Sequence, residues 1–176
     1  RVAGFISGPI SDGLLYGKFA GTWGSSDGYA TNVWNNSQQG TYDFVQARLQ
    51  LRATPTENLE LLLSADYYKR EYVPYVLDIT ESEAGLGVIP GDYTVIEYIA
   101  VEGGAKDSET ENSGVSLQVD YAFAGGHELT SITAYRESGY GPNYSDNARV
   151  GLDLFYTLYE SDSSYLSQEL RLASPV

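Results

Sequence analysis

The chain has 176 residues, with 24 Asp+Glu against 10 Lys+Arg, a net charge of −14, no Cys and no Met. The length fits about one domain, the lack of Cys excludes disulfides and thiolate metal sites, and the acidic balance argues against a nucleic-acid partner, which needs a basic stripe. A content of 42% hydrophobic and 13% aromatic residues is too high for a disordered chain, and no run approaches the ~18 apolar residues of a spanning helix.

The chain opens Arg1-Val2-Ala3-Gly4-Phe5-Ile6-Ser7-Gly8, which carries no signal-peptide pattern and already reads as strand. Without an initiator Met, the chain is expected to be a mature or excised piece of something longer. A first strand is predicted over 1–8 and a tight turn over 9–12. In a second strand, 13–24, Leu15, Phe19 and Trp23 oppose Lys18, with Gly17 and Gly21 between. The third, 42–53, alternates most clearly. Val45, Ala47, Leu49, Leu51 and Ala53 fall on one face, and Gln46, Arg48, Gln50 and Arg52 on the other, because successive strand side chains point to opposite sides. After a turn at 54–57, a fourth strand, 58–70, sets Leu59, Leu61, Leu63, Ala65 and Tyr67 against Glu60, Leu62, Ser64, Asp66 and Tyr68. A fifth, 114–123, sets Val115, Leu117, Val119, Tyr121 and Phe123 against Ser116, Gln118, Asp120 and Ala122. A turn at 124–127 leads to a sixth strand, 128–139, whose facing stays open between Ile132 with Ala134 and Leu129 with Tyr135. In a seventh, 163–174, Leu166, Leu170 and Leu172 share a face with Gln168, against Ser167, Glu169 and Arg171.

These strands exceed the ~5–6 residues usual in globular proteins and match the ~9–11 that a tilted strand needs to cross a bilayer. The connections alternate between the three short turns and long polar loops at about 25–41, 71–113 and 140–162. The expected fold is all-β: an antiparallel up-and-down meander of about seven long strands, one segment over 1–176, forming a sector of a transmembrane β-barrel. Such barrels have short turns at one rim and long loops at the other, whereas sandwiches use Greek-key crossings. In that reading Arg48, Gln50, Arg52, Glu60, Asp66, Gln118, Asp120, Glu169 and Arg171 face the lumen, where charges find partners and water. The bland alternative makes the same residues the solvated side of an open sheet.

Five pieces, in order, also resemble the barrel domain of TonB-dependent outer-membrane receptors. They are Ser7-Gly8-Pro9-Ile10-Ser11-Asp12 with Leu14 to Gly21; Asp27-Gly28-Tyr29; Leu49 to Ala53 with Leu59 to Tyr67; Leu129 to Arg136; and Ser167-Gln168-Glu169-Leu170-Arg171-Leu172-Ala173-Ser174. The resemblance implies early strands of a plugged barrel of about 22 strands in the bacterial outer membrane. It implies lipid, the remaining barrel and plug, the TonB energy-coupling protein and a small nutrient or siderophore as partners. The plug and the energy-coupling segment are absent from this sequence.

The search for chemistry points away from an enzyme and from a cofactor. His127, the sole histidine, falls in a turn beside Gly125 and Gly126, with no nucleophile to serve. Gly85, Gly87 and Gly91 form no phosphate loop between strand and helix. Asp107-Ser108-Glu109-Thr110-Glu111 has oxygen ligands for Ca²⁺ but lacks the Gly-centred spacing of an EF-hand, so no metal is assigned. Binding is expected instead of the loop aromatics Trp34, Tyr72, Tyr75, Tyr93, Tyr98, Tyr140 and Tyr144, which join an apolar body to a polar tip. Residues 93–101 are β-prone within their loop. Trp23, Tyr67, Tyr68 and Tyr121 are expected to form the girdle at the membrane interface. The acidic loops favour a neutral sugar, a cation or a metal-bearing complex over a bare anion. The competing function is a structural, self-assembling β-protein, in which the open sheet pairs with copies of itself.

Overall fold

The computed structural model describes residues 1–31, 38–73, 108–146 and 156–175. The described strands are β1 (Val2–Ser11), β2 (Leu15–Ser26), β3 (Ala30–Thr31), β4 (Gln38–Gln39), β5 (Tyr42–Thr56), β6 (Leu59–Tyr72), β7 (Ser108–Ala122), β8 (Glu128–Asp146) and β9 (Tyr156–Ala173). Seven of them form one sheet in the order β1-β2-β5-β6-β7-β8-β9, every pair antiparallel. β3 and β4 make a separate two-stranded hairpin inside the connection from β2 to β5. The expected all-β up-and-down meander is thus present, as an open sheet in which β1 and β9 are the two edges.

At one end of the sheet the turns are tight. Gly13, at φ 69°, supplies the left-handed residue of the β1–β2 turn, and Leu14 N–H donates to the Ser11 carbonyl at 3.1 Å. Glu57-Asn58 alone joins β5 to β6. Gly126, at φ 78°, closes the β7–β8 turn, where its N–H donates to the Phe123 carbonyl at 2.9 Å.

Strand ends differ from expectation in a consistent way. β1 runs on through Pro9 to Ser11 and β5 through Pro55 to Thr56, each with a register shift at its proline. A bulge accommodates a residue with no N–H to give to the ladder. At the other end β7 begins at Ser108, β8 continues to Asp146 and β9 starts at Tyr156. The strands therefore take in 71–72, 108–113, 140–146 and 156–162 of the expected loops 71–113 and 140–162, and 74–107 and 147–155 lie outside the described residues. Residues 108–113 are polar on both faces, so no apolar alternation marks them. Backbone pairing carries the ladder on, for example Lys69 opposite Glu111 and Glu137 opposite Ser164.

Cross-strand partners share a face, so the register sorts the side chains. One face carries Phe19, Val45, Leu49, Leu51, Leu61, Leu63, Val115, Leu117, Leu166 and Leu170 as an apolar band, interrupted on β8 and β9 by Ser131, Thr133 and Gln168, where Thr133 donates to Gln168 and Gln168 to Ser131. Leu129 and Tyr135 join it, and Ile132 and Ala134 lie opposite, which resolves the facing of β8. Among the described residues no hydrophobic side chain is buried. Along the band, exposure rises from Leu49 (37%) and Leu117 (42%) in the middle to Ile6 (72%) and Leu166 (76%) on the edge strands.

The band has limits along the strands. On β6 it runs from Leu59 to Tyr67 and stops at Lys69 and Glu71. In the same rows stand Asp43, Glu109, Glu111 and Asp162, with Glu137 one row nearer the band. Trp23, Tyr67 and Tyr135 sit near this charged margin; Tyr121 and Phe123 stand at the short-turn end, their rings edge-to-face at 4.8 Å. Tyr135 bridges the change, its hydroxyl donating to Glu137 at 2.7 Å.

Candidate functional site

The opposite face is polar. Arg48, Gln50, Arg52, Glu60, Asp66, Gln118, Asp120, Glu169 and Arg171 all lie on it, as the alternation required. Arg52 grips Glu60 with two bonds, Nε to Oε1 at 2.9 Å and Nη2 to Oε2 at 2.7 Å, the bidentate fork that suits guanidinium and carboxylate. Asp120 accepts from Gln118 at 2.7 Å and from Thr130 at 2.6 Å. Arg171 pairs with Glu169 two residues back on β9.

Arg136 makes the longest reach. From β8 it crosses β7 to Asp66 on β6, with Nη2 at 2.8 and 3.0 Å from the two carboxylate oxygens. The residue between them is Gly114, and a Cβ there would lie 3.0 Å from Arg136 Nη2. The missing side chain is what lets the guanidinium lie across the strand.

Towards the long-connection end the same face turns aromatic. Tyr42 and Phe44 of β5 have ring centroids 6.1 Å apart, and Phe44 and Tyr68 of β6 are 6.4 Å apart. Arg70 lies over two rings, 5.1 Å from Tyr42 and 4.7 Å from Tyr72, a placement favoured by cation–π attraction. Tyr72 Oη donates to Tyr140 Oη of β8 at 3.4 Å, and Tyr140 faces Tyr159 of β9 at 5.5 Å. A ladder of rings thus runs from β5 to β9. Its β2 end rests on Gly24, which is buried under Phe44; a Cβ there would be 2.5 Å from the ring.

Of the aromatics expected to bind, Tyr72 and Tyr140 belong to this ladder. They do so as strand residues of β6 and β8 and not as loop residues. Tyr144 has its backbone in β8, opposite Leu158. Trp34, Tyr75, Tyr93 and Tyr98, and the β-prone run 93–101, lie outside the described residues. The girdle expectation needs one correction: Tyr67 and Tyr68 are adjacent in a strand and so face opposite ways, which puts Tyr68 in the ladder with Phe44. Tyr42 and Phe44 escape the sequence reading because single aromatics near strand ends look alike until register shows which neighbours they meet.

The Ca²⁺ candidate also changes character. Residues 108–111 are extended in β7, which sends Glu109 and Glu111 to the apolar-band face and Thr110 to the other. Lys69 Nζ bonds Glu71 at 2.9 Å and Glu109 at 3.0 Å. Its ammonium is held above its ordinary pKa, first by the hydrogen bond to Glu71 and then by that to Glu109. Among the described residues no group of three or more His, Asp or Glu side chains is arranged to hold a metal ion. His127 stands in the exposed β7–β8 turn.

Comparison with protein-family models, with curated proteins and with solved structures gives no match to this chain.

Proposed function

We propose that the chain is a sector of an outer-membrane uptake receptor of the TonB-dependent kind, with its apolar face against lipid and its polar face lining the lumen. The observation that carries this reading is the bounded apolar band. From Leu59 to Tyr67 it covers about 27 Å along a strand and about 20 Å once tilted by ~40°, close to the ~25 Å band of outer-membrane barrels. Aromatic residues at its margins and charges beyond them at the long-connection end follow the same pattern. Short turns at one end and long connections at the other add to the likeness, as do the five resembling segments. A parent barrel would supply the remaining strands, the plug and the contact with the energy-coupling protein. The ring ladder, just below the long connections, would meet a nutrient on entry.

Trp23 tests the lipid contact, since it lies on the apolar face, paired with Val45. In a Trp34→Phe background, Trp23 fluorescence in vesicles should be quenched strongly by lipids brominated on their acyl chains. Full retention of the emission would sink the membrane reading.

A second reading keeps one observation of its own. The edge strands β1 and β9 each pair on one side only, and they carry the most exposed apolar side chains, Phe5 and Leu166 among them. Unpaired edges invite other strands, so a self-assembling sheet would join copies through β1 and β9. Concentration-dependent filaments or discrete oligomers in lipid-free buffer, with Trp23 unquenched in vesicles, would favour it.

A further inference from the structure

The chain is strongly acidic, yet the polar sheet face has a surplus of cations at mid-height. Asp66 stands directly opposite Arg48 in the β5–β6 register, but both its oxygens are engaged by Arg136 reaching over Gly114. Arg48 is left with no ion-pair partner among the described residues. Lys18, on β2, is likewise without one, and it lies diagonally from Arg48, since Ala20 is the residue opposite Arg48. Such diagonal neighbours are ~7–8 Å apart. Both side chains are exposed on this face. Around one carboxylate the face thus gathers Lys18, Arg48 and Arg136.

The ring ladder begins one row above. Tyr68 is opposite Gln46 and therefore diagonal to Arg48, again at ~7–8 Å, and Phe44 and Arg70 form the next row. A flat ring lying on Tyr68 and Phe44 would carry an acidic substituent to Arg48 and Lys18 on one side and to Arg70 on the other. A neutral sugar would leave those cations unanswered, and a cation would be repelled.

We propose that this face receives a small organic anion with a flat ring, its acid groups held by Arg48 and Lys18 and its ring by Tyr68 and Phe44. The inference rests on the polar face being open to solutes, as in the receptor reading, and it names the ligand class. It reverses the ligand sign expected from overall charge, because the cluster of Lys18, Arg48 and Arg136 around Asp66 is locally cationic in an acidic chain. Lipid phosphate is excluded as the source of the anion, since the lipid-facing side of the sheet is the other one.

The test is binding of 8-hydroxypyrene-1,3,6-trisulfonate, an aromatic polyanion, to the full chain in vesicles, followed by fluorescence anisotropy. Saturable binding is expected that weakens at least tenfold in Arg48→Gln and several-fold in Lys18→Gln, recovers in Arg48→Lys, and declines as salt is raised. Lys69→Gln removes the same charge from the opposite face and should leave binding unchanged. Equal affinity in wild type and Arg48→Gln, or equal loss in Lys69→Gln, overturns the proposal. Trp23 quenching in the same samples reports the membrane reading separately. Lost quenching with Arg48-dependent binding removes the membrane and keeps the anion site; retained quenching with Arg48-independent binding does the reverse.

Discussion

The two faces of the seven-stranded sheet obey different rules although they share one backbone. The apolar face has few directional contacts, Thr133 with Gln168 and Gln168 with Ser131 towards β9 and a few at its margins, and among the described residues none of its apolar side chains is buried. The polar face is a lattice of specific bonds: Arg52 with Glu60, Arg136 with Asp66, Asp120 with Gln118 and Thr130. A soluble single-layer sheet would gain little from such a division, because apolar area gives stability only when removed from water, at ~25 cal/mol per Å². On the receptor reading proposed above, the difference teaches that the sheet is built for two solvents, one taking the place of a core and the other wetting charges.

The sharpest way to break this comparison is a charge on each face. Leu61→Arg or Leu117→Arg should cost about 2–4 kcal/mol in a bilayer, the range for arginine near a membrane midplane. Ser64→Arg and Gln118→Arg, on the polar side, should cost much less. Reversible unfolding in vesicles measures both, and equal sensitivity would mean a two-sided core.

A smaller effect separates two glycines. At Gly24 an added Cβ meets the Phe44 ring at 2.5 Å, and at Gly17 it meets Cδ1 of Ile10 at 2.8 Å. A ring fixed in the ladder gives way less easily than the tip of an aliphatic chain. Gly24→Ala should therefore destabilise by about 1–3 kcal/mol, in the range of overpacking, and Gly17→Ala by less. Loss of the near-ultraviolet dichroism of the tyrosines in Gly24→Ala would place the damage in the ladder. The reverse ranking would show that the apolar side is the more rigid.

The weakest effect is expected of the ion pairs. Arg52 and Glu60 are about half exposed, so water and salt screen their attraction. A double-mutant cycle should give a small coupling that fades as salt is raised. Strong, salt-independent coupling would mean that this face is drier than its exposure indicates.

Much of this division was legible in the sequence, and the reasons are particular. The run from Val45 to Ala53 alternates without a break, so both faces of β5 and the side taken by Arg48 and Arg52 followed from side-chain period alone. β8 was not readable, because Ile132 and Ala134 compete with Leu129 and Tyr135, and only pairing with β7 and β9 decides between them. Residues 108–113 read as loop because nothing apolar marks them; their strand is made by pairing with β6. The ring ladder was half legible. Tyr72 and Tyr140 stand out as aromatics near long connections, but their meeting joins residues far apart in the chain, and the slot at Gly114 shows only once Arg136 and Asp66 are placed on either side of it.

The neighbour-only order of the sheet also bears on how it comes into being. Each main strand pairs with the main strand before it in the chain and the one after it, with no crossing over. Every docking step is therefore a hairpin closure, and the sheet is able to lengthen in order of synthesis. The closures are not equal. By the logarithmic rule for loop entropy, joining Tyr72 to Ser108 costs about 1 kcal/mol more than joining Asp146 to Tyr156. The β7–β8 pair is held by the tight turn at Gly126 and the β5–β6 pair by Glu57-Asn58, so both are expected to form early, with the β6–β7 seam as the late event.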